Sequence, residues 1–173
     1  MKDLRELLEA SKEDLPDIYC DMDGVLCNFM KAADYAVGGD FVTTDSKERW
    51  MKINQTKGFW ENLEWMPGAK KMWTFIDKYD AHILSAYSTK DANSRKGKFK
   101  WLSSKAKLTK RSRIHLVLRE DKQKYAMTND GKPNLLIDDY IKNVNEWKAK
   151  GGIGVHHTSP SNTIAELKRL GFK

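Results

Sequence analysis

Asp21 and Asp23 stand two residues apart in the segment Asp-Met-Asp-Gly-Val-Leu, and a second acidic pair, Asp138-Asp139, follows Leu135-Leu136-Ile137. One carboxylate can attack an electrophilic phosphorus while another protonates the departing oxygen. Acids gathered at one place repel each other unless a cation balances them, and an all-oxygen donor set beside phosphate suits Mg2+. These residues therefore point to phosphoryl chemistry, with Asp21, Asp23, Asp138 and Asp139 as the metal-binding set. A helix-loop-helix calcium loop is excluded, because the twelfth position counted from Asp21 is Ala32 rather than Glu. Cys20 and Cys27 lack the spacing of a thiolate metal site and read as reduced thiols. His82 and His115 read as packed inside strands, while a metal role for His156 and His157 is a minor alternative.

Such acids need a scaffold that brings distant segments together. Leu4, Leu7 and Leu8 predict an opening amphipathic helix over 3–13, broken by Pro16. Ile18 to Cys20, Ala81 to Ser85, Ile114 to Leu118, Leu135 to Ile137 and Ile153 to His156 read as five strands. Helices are expected between them: from Pro67 to about 78, from Asn93 to about Lys107, over Ile141-Val144-Trp147, and at the end over Ile164-Leu167-Leu170, with a short one near 121–127. Residues 28–66 carry an interrupted helical pattern broken at Gly38-Gly39, which reads as two or three inserted helices. The fold class is α/β: a Rossmann-like, mainly parallel five-stranded sheet with helices on both faces and a small helical cap. The core spans 1–27 and 67–173, and the cap spans 28–66. In such sheets ligands sit beyond the carboxyl ends of the strands, where the acids and Ser85 are expected.

The 173 residues are 40% hydrophobic, with six each of Trp, Tyr and Phe, which excludes a disordered chain despite 32% charged residues. No apolar run approaches the roughly 20 residues of a membrane span, and the charged N-terminus is unlike a signal peptide, so the expectation is a cytoplasmic protein without a membrane partner. A net charge of +7 favours anionic ligands. The helix bearing Arg95, Lys96, Lys98, Lys100, Lys105 and Lys107 reads first as a solvated face, with a nucleic-acid strand as the alternative occupant.

The acidic motif after an apolar strand resembles the first motif of the haloacid dehalogenase superfamily of aspartyl-phosphate phosphatases. Ile83-Leu84-Ser85 is similar to the second motif, and Leu135-Leu136-Ile137-Asp138-Asp139 to the fourth. The resemblance implies that Asp21 is phosphorylated and that Asp23 is the acid and base. It also implies that Ser85 binds phosphate, and that Mg2+ is held by Asp21, the Asp23 carbonyl and Asp139, with Asp138 close by.

Gly58-Phe59-Trp60, Pro67-Gly68-Ala69, Lys98-Phe99-Lys100-Trp101 and Arg119 to Lys122 extend the likeness to 5'(3')-deoxyribonucleotidases over residues 18 to about 140. Carried over, Lys98 becomes the phosphate-contacting lysine, Phe59 and Trp60 lie over the base, and Arg119 and Lys122 contact substrate. The implied substrate is a nucleoside monophosphate. The chain departs from that family at Ser85-Ala86-Tyr87, where Thr-Ser-Pro is usual. A hydroxyl is missing at position 86, with Tyr87 or Ser88 as candidates to replace it.

Two alternatives stand beside this reading. The stretch from Asp138 to Trp147 resembles the 3'-phosphatase domain of polynucleotide kinase-phosphatases, which would make a nucleic-acid end the substrate. A non-catalytic phosphate-binding module is the other, and the intact Asp21-Asp23 pair argues against it. The oligomeric state stays open, with a homodimer as one option.

Overall fold

The computed structural model describes residues 15–173, so the helix expected over 3–13 lies outside the described residues. Five strands form one sheet: β1 (Ile18–Cys20), β2 (His82–Ala86), β3 (Ile114–Val117), β4 (Leu135–Asp138) and β5 (Ile153–His156). Their order is β3-β2-β1-β4-β5 and every neighbouring pair is parallel. Chain order therefore runs outward from β1 through β2 to β3, then jumps back across β1 to β4. That jump places the switch point between β1 and β4, where the sheet opens a crevice at its carboxyl edge. β2 begins one residue later than the side-chain pattern indicated and reaches Ala86, because Ala86 pairs with Val117.

The described residues form six α-helices: α1 (Phe29–Val37), α2 (Ser46–Gln55), α3 (Ala69–Asp77), α4 (Ser94–Ser104), α5 (Ile141–Ala149) and α6 (Pro160–Arg169). Their ends follow local chemistry. Asp45 accepts from the backbone N–H groups of Lys47 and Glu48 to start α2, and Ser159 with Pro160 starts α6. Gly38 ends α1 in the left-handed conformation that a Cβ disfavours. The short helix expected near 121–127 is a 3-10 stretch, Arg119–Tyr125, entered directly from Leu118. On α5, Val144 and Trp147 are buried but Ile141 is about half exposed, since it stands in the first turn beyond the sheet edge.

Strand alternation divides the core in two. Ile18, Cys20, Ile83, Leu135 and Ile137 face the larger cluster with α3 and α6, while Tyr19, Leu84 and Leu136 face the other side with Trp147. Covered on both faces, β1 and β4 are buried throughout, which is why they read as unbroken apolar runs. His82 and His115 belong to the second side, with Nδ1 of one 2.9 Å from Nε2 of the other and His82 stacked on Tyr19.

Residues 28–66 leave and rejoin the sheet at one place. Asn28 N–H donates to the Glu64 carbonyl, Met66 N–H donates to the Leu26 carbonyl, and Cys27 bridges Trp65. The segment holds two helices, and its aromatic rings pack as one group: Phe29 stacks on Trp60 and meets Phe41 and Phe59 edge to face. Trp101 of α4 clamps this segment to the core. It is fully buried, donates from Nε1 to the Leu63 carbonyl at 2.8 Å and lies against Trp65. No helix among the described residues is long and apolar enough to cross a membrane.

Trp101→Ala should destabilise the protein by about 3–5 kcal/mol, as for other large-to-small core changes, read from chemical denaturation. Trp101→Phe should cost clearly less, because the Leu63 carbonyl keeps a donor in Lys105 Nζ at 2.7 Å. Equal losses in the two variants would refute cavity formation as the cause.

Candidate active site

Asp21 leaves β1 with its N–H bonded to the Ile137 carbonyl at 2.9 Å, so the first acidic segment is pinned beside the second at the switch point. The chain then curls around one atom: the N–H groups of Val25, Leu26 and Cys27 all donate to the Met22 carbonyl. Gly24 has φ +77 in this curl, and an added Cβ would overlap the Asp139 carboxylate. Glycine is thus required twice over, for its backbone and for the space that Asp139 fills.

Two groups of side chains result. In the first, Asp21, Asp138 and Asp139 offer carboxylate oxygens that all lie within 4.8 Å of one another. Lys122 enters this group and pairs with Asp21 Oδ1 at 3.0 Å and Asp138 Oδ2 at 2.8 Å. Asp138 is fully buried and also accepts from Asn143 Nδ2 and from the Tyr140 N–H, so both its oxygens are engaged by the protein. In the second group, buried Lys98 donates from Nζ to Asp23 Oδ2 at 2.7 Å, to Ser85 Oγ at 3.0 Å and to the Ala86 carbonyl at 2.6 Å. Asp23 Oδ1 is buried with no hydrogen-bond partner.

The electrostatics follow from crowding. Burial holds Asp23 above the usual carboxylate range, with Lys98 opposing. Asp138 is raised by burial and by Asp21, with Lys122 opposing. Asp139 is pushed up to about 7 by burial and by the charges of Asp21 and Asp138. As a whole residue Asp139 is exposed, but its carboxylate end is tucked against Gly24, and that is the end that titrates. For Lys122, burial disfavours the ammonium, yet Asp21 and Asp138 outweigh it and hold its pKa above the ordinary lysine value.

A divalent cation fits this arrangement. Three carboxylates stand against one ammonium, and all donors are oxygens, the set that suits Mg2+. The Asp23 side chain is committed to Lys98 and stands apart from the carboxylate cluster, and the contribution expected of Asp23 to the metal is its backbone carbonyl. Neither His156 nor His157 joins the carboxylate group. His156 Nε2 bonds the Asp139 carbonyl, and buried His157 bonds Thr163. Cys20 and Cys27 are buried free thiols, pushed well above their ordinary pKa by burial, the state of inert cysteines.

The remaining expected residues are distributed unevenly. Lys98 is inside the protein rather than on a solvated helix face, because Gly97 lets α4 approach Trp60 so closely that a Cβ would collide with it. Phe59 and Trp60 are both buried in the aromatic group, and Trp60 Nε1 donates to Asp91 at 2.6 Å. Packing claims most of their surface, although the Lys98 ammonium lies 5.4 Å from the Trp60 ring centroid. Arg119 turns to α5 and pairs with Glu146 at 2.8 Å and Asn143 at 3.0 Å. At the missing hydroxyl of position 86, the backbone carbonyl takes the lysine instead, while Tyr87 lies beneath Arg95. Asn143, Asp91 and Gly97 were not singled out in the sequence. Only Gly97 carried a visible signal, a glycine within an otherwise helical basic run.

The fold is shared with solved proteins. A hydrolase from Streptococcus pneumoniae TIGR4 superposes with a TM-score of 0.59 at 12% identity, covering 89% of this chain and 98% of that one. A hydrolase from Pseudomonas syringae gives 0.53 at 19% identity, covering 91% and 90%. No family model and no curated protein matches the chain.

Asp139 supplies a pH test. Its folded-state pKa lies above its ordinary value, so the stabilising effect of its proton is complete below about pH 4 and lost as pH rises through about 7. In chelator, Asp139→Asn should therefore gain melting temperature relative to the parent as pH rises from about 5 to 8. Millimolar Mg2+ should narrow that difference by stabilising the parent. Parallel melting curves across this range, with and without Mg2+, would count against a cation-seeking carboxylate.

Proposed function

We propose that this protein is a Mg2+-dependent phosphomonoesterase that works through an aspartyl-phosphate on Asp21, with a nucleotide phosphate as substrate. The observation that carries the reading is the division of the switch-point acids. Asp21 faces the carboxylate cluster with Lys122, while Asp23 is buried, raised in pKa and held by Lys98 with one oxygen free of partners. A group with raised pKa and an available oxygen suits an acid, and its neighbour suits a nucleophile.

An Asp21 oxygen attacks phosphorus as the ester P–O bond breaks, and the proton on Asp23 passes to the departing sugar oxygen. Asp23, now ionised, takes a proton from water, whose oxygen attacks the phosphorus of the aspartyl-phosphate. Inorganic phosphate leaves and the Asp21 carboxylate is restored. Lys98 holds Asp23 in place, and its positive charge, with the Ser85 hydroxyl as donor, lies on the side where phosphoryl oxygens would sit. Asp21, Asp138 and Asp139 would hold Mg2+, which when bound neutralises charge on the transferring group. Residues 28–66 serve as a cap beside the crevice, restricting access of bulk water.

The +7 charge, the likeness to 5'(3')-deoxyribonucleotidases and the Lys98-Ser85 pair support a nucleotide substrate. Asp21→Asn should abolish phosphate release at any Mg2+ concentration. Asp23→Asn should reduce turnover by about 10²–10⁴-fold through loss of proton transfer. The decisive assay measures phosphate release from deoxyribonucleoside and ribonucleoside monophosphates and from end-phosphorylated oligonucleotides, with and without Mg2+. Near-normal turnover by Asp21→Asn, or no release from any substrate, would sink the proposal.

A further inference from the structure

Helix α4 has two functional faces. Its inward face sends Lys98 to Asp23 and Ser85, whereas its outer face belongs to a different environment. Arg95, Lys96, Lys100 and Arg111 are exposed and line one groove of about 660 Å3 with Phe99 and Leu116. Lys100 is paired with Glu61, but among the described residues Arg95, Lys96 and Arg111 have no acidic partner. Three uncompensated cations along one groove give a local positive field that attracts phosphates.

The cations are arranged over rings. The Arg111 guanidinium lies 4.5 Å from the Phe99 ring centroid, and that of Arg95 lies 5.4 Å from the Tyr87 ring centroid. Each pair presents a flat, cationic platform, on which a nucleobase can stack while its phosphate meets the neighbouring charge. One platform adjoins the site in sequence, for Tyr87 follows Ser85 by two residues, with its N–H bonded to the Val117 carbonyl at the carboxyl end of the sheet. Arg95 and Phe99 are one helical turn apart, and Phe99 and Arg111 line the groove together with Ile114 and Leu116 of β3.

β3 is one of the two edge strands of the sheet, and basic residues commonly guard such edges against pairing. Edge protection accounts for charge at Arg111. It does not account for Arg95, which sits on the helix over Tyr87, nor for the ring beneath each guanidinium.

We infer that this groove binds a single-stranded polynucleotide, whose terminal phosphate monoester enters at Asp21 while the following nucleotides lie over Tyr87-Arg95 and Phe99-Arg111. The location of the terminal phosphate rests on the phosphomonoesterase reading, whereas the groove's affinity for the strand does not. A mononucleotide would leave both platforms and three cations unused.

The test is fluorescence anisotropy of a labelled oligothymidylate with hydroxyl ends, titrated with the full chain over a range of salt. Single-stranded binding should weaken with salt at a slope of roughly −0.7 per neutralised phosphate. The double variant Arg95→Glu/Arg111→Glu should bind about tenfold or more weakly, with the slope reduced in magnitude by about 1.4 for the two lost contacts. Its melting temperature and its turnover of p-nitrophenyl phosphate, which is too small to reach the groove, should match the parent. Unchanged binding in the double variant would overturn the inference. So would a parent that binds duplex DNA, or polyphosphate of matched charge, as tightly as the oligothymidylate. Because the oligonucleotide has no phosphate monoester, failure of the phosphatase reading would show in the p-nitrophenyl phosphate assay and leave the binding result standing.

Discussion

Like charges held at one sheet edge are the constraint on which the rest of this structure depends. Asp21, Asp138 and Asp139 bring carboxylate oxygens within 4.8 Å of each other, and burial disfavours the ionised forms of Asp138 and Asp139. Such a cluster survives only if something answers its charge. Lys122 answers part of it, and the 3-10 stretch Arg119–Tyr125 carries that lysine under the edge. Asn143 and the Tyr140 N–H also donate to Asp138, so of the three carboxylates Asp138 is the most engaged by the protein.

The second lysine solves a separate problem. Lys98 is buried without a solvent path of its own, yet its three acceptors, Asp23, Ser85 and the Ala86 carbonyl, satisfy all three of its N–H bonds. That arrangement depends on Gly97, which permits α4 to press against Trp60, and on Trp101, which ties the same helix to Leu63. The inserted segment 28–66 therefore contributes to the site through packing. Its aromatic rings set the position of a helix, and the helix sets the position of a charge. The same helix turns its outer face to Tyr87, Phe99 and Arg111, linking the chemistry of the edge to the charge of the surface.

Much of this was legible in the residues. The strands that are buried on both faces show as apolar runs, and β5 begins and ends where its pattern indicates. The acids fall at the ends of β1 and β4 because a parallel sheet places the carboxyl ends of its strands on one side. Less legible were the places where a side chain's partner is remote in sequence. Lys98 reads as one of six basic residues on a helix, and Lys122 as one of several near a turn. Nothing in their spacing distinguishes them from lysines that face water. Arg119 pairs with Glu146 and Asn143 on α5, partners that no local pattern in the sequence marks.

The sequence by itself determined the scaffold and the gathering of its acids. Carboxylates two residues apart after an apolar strand, with another pair after a second strand, fall on a shared edge, and those are local properties of composition and period. Only the tertiary structure decided which lysine meets which acid, and that Asp138 is held by Lys122, Asn143 and the Tyr140 N–H while the Asp139 carboxylate lies against Gly24. It also decided that Phe59 and Trp60 are buried in one aromatic group. The physical reason is that charge pairing and burial act through space over a few ångströms. Asp23 and Lys98 are 75 positions apart in the chain but 2.7 Å apart in the fold, and no local pattern encodes that distance.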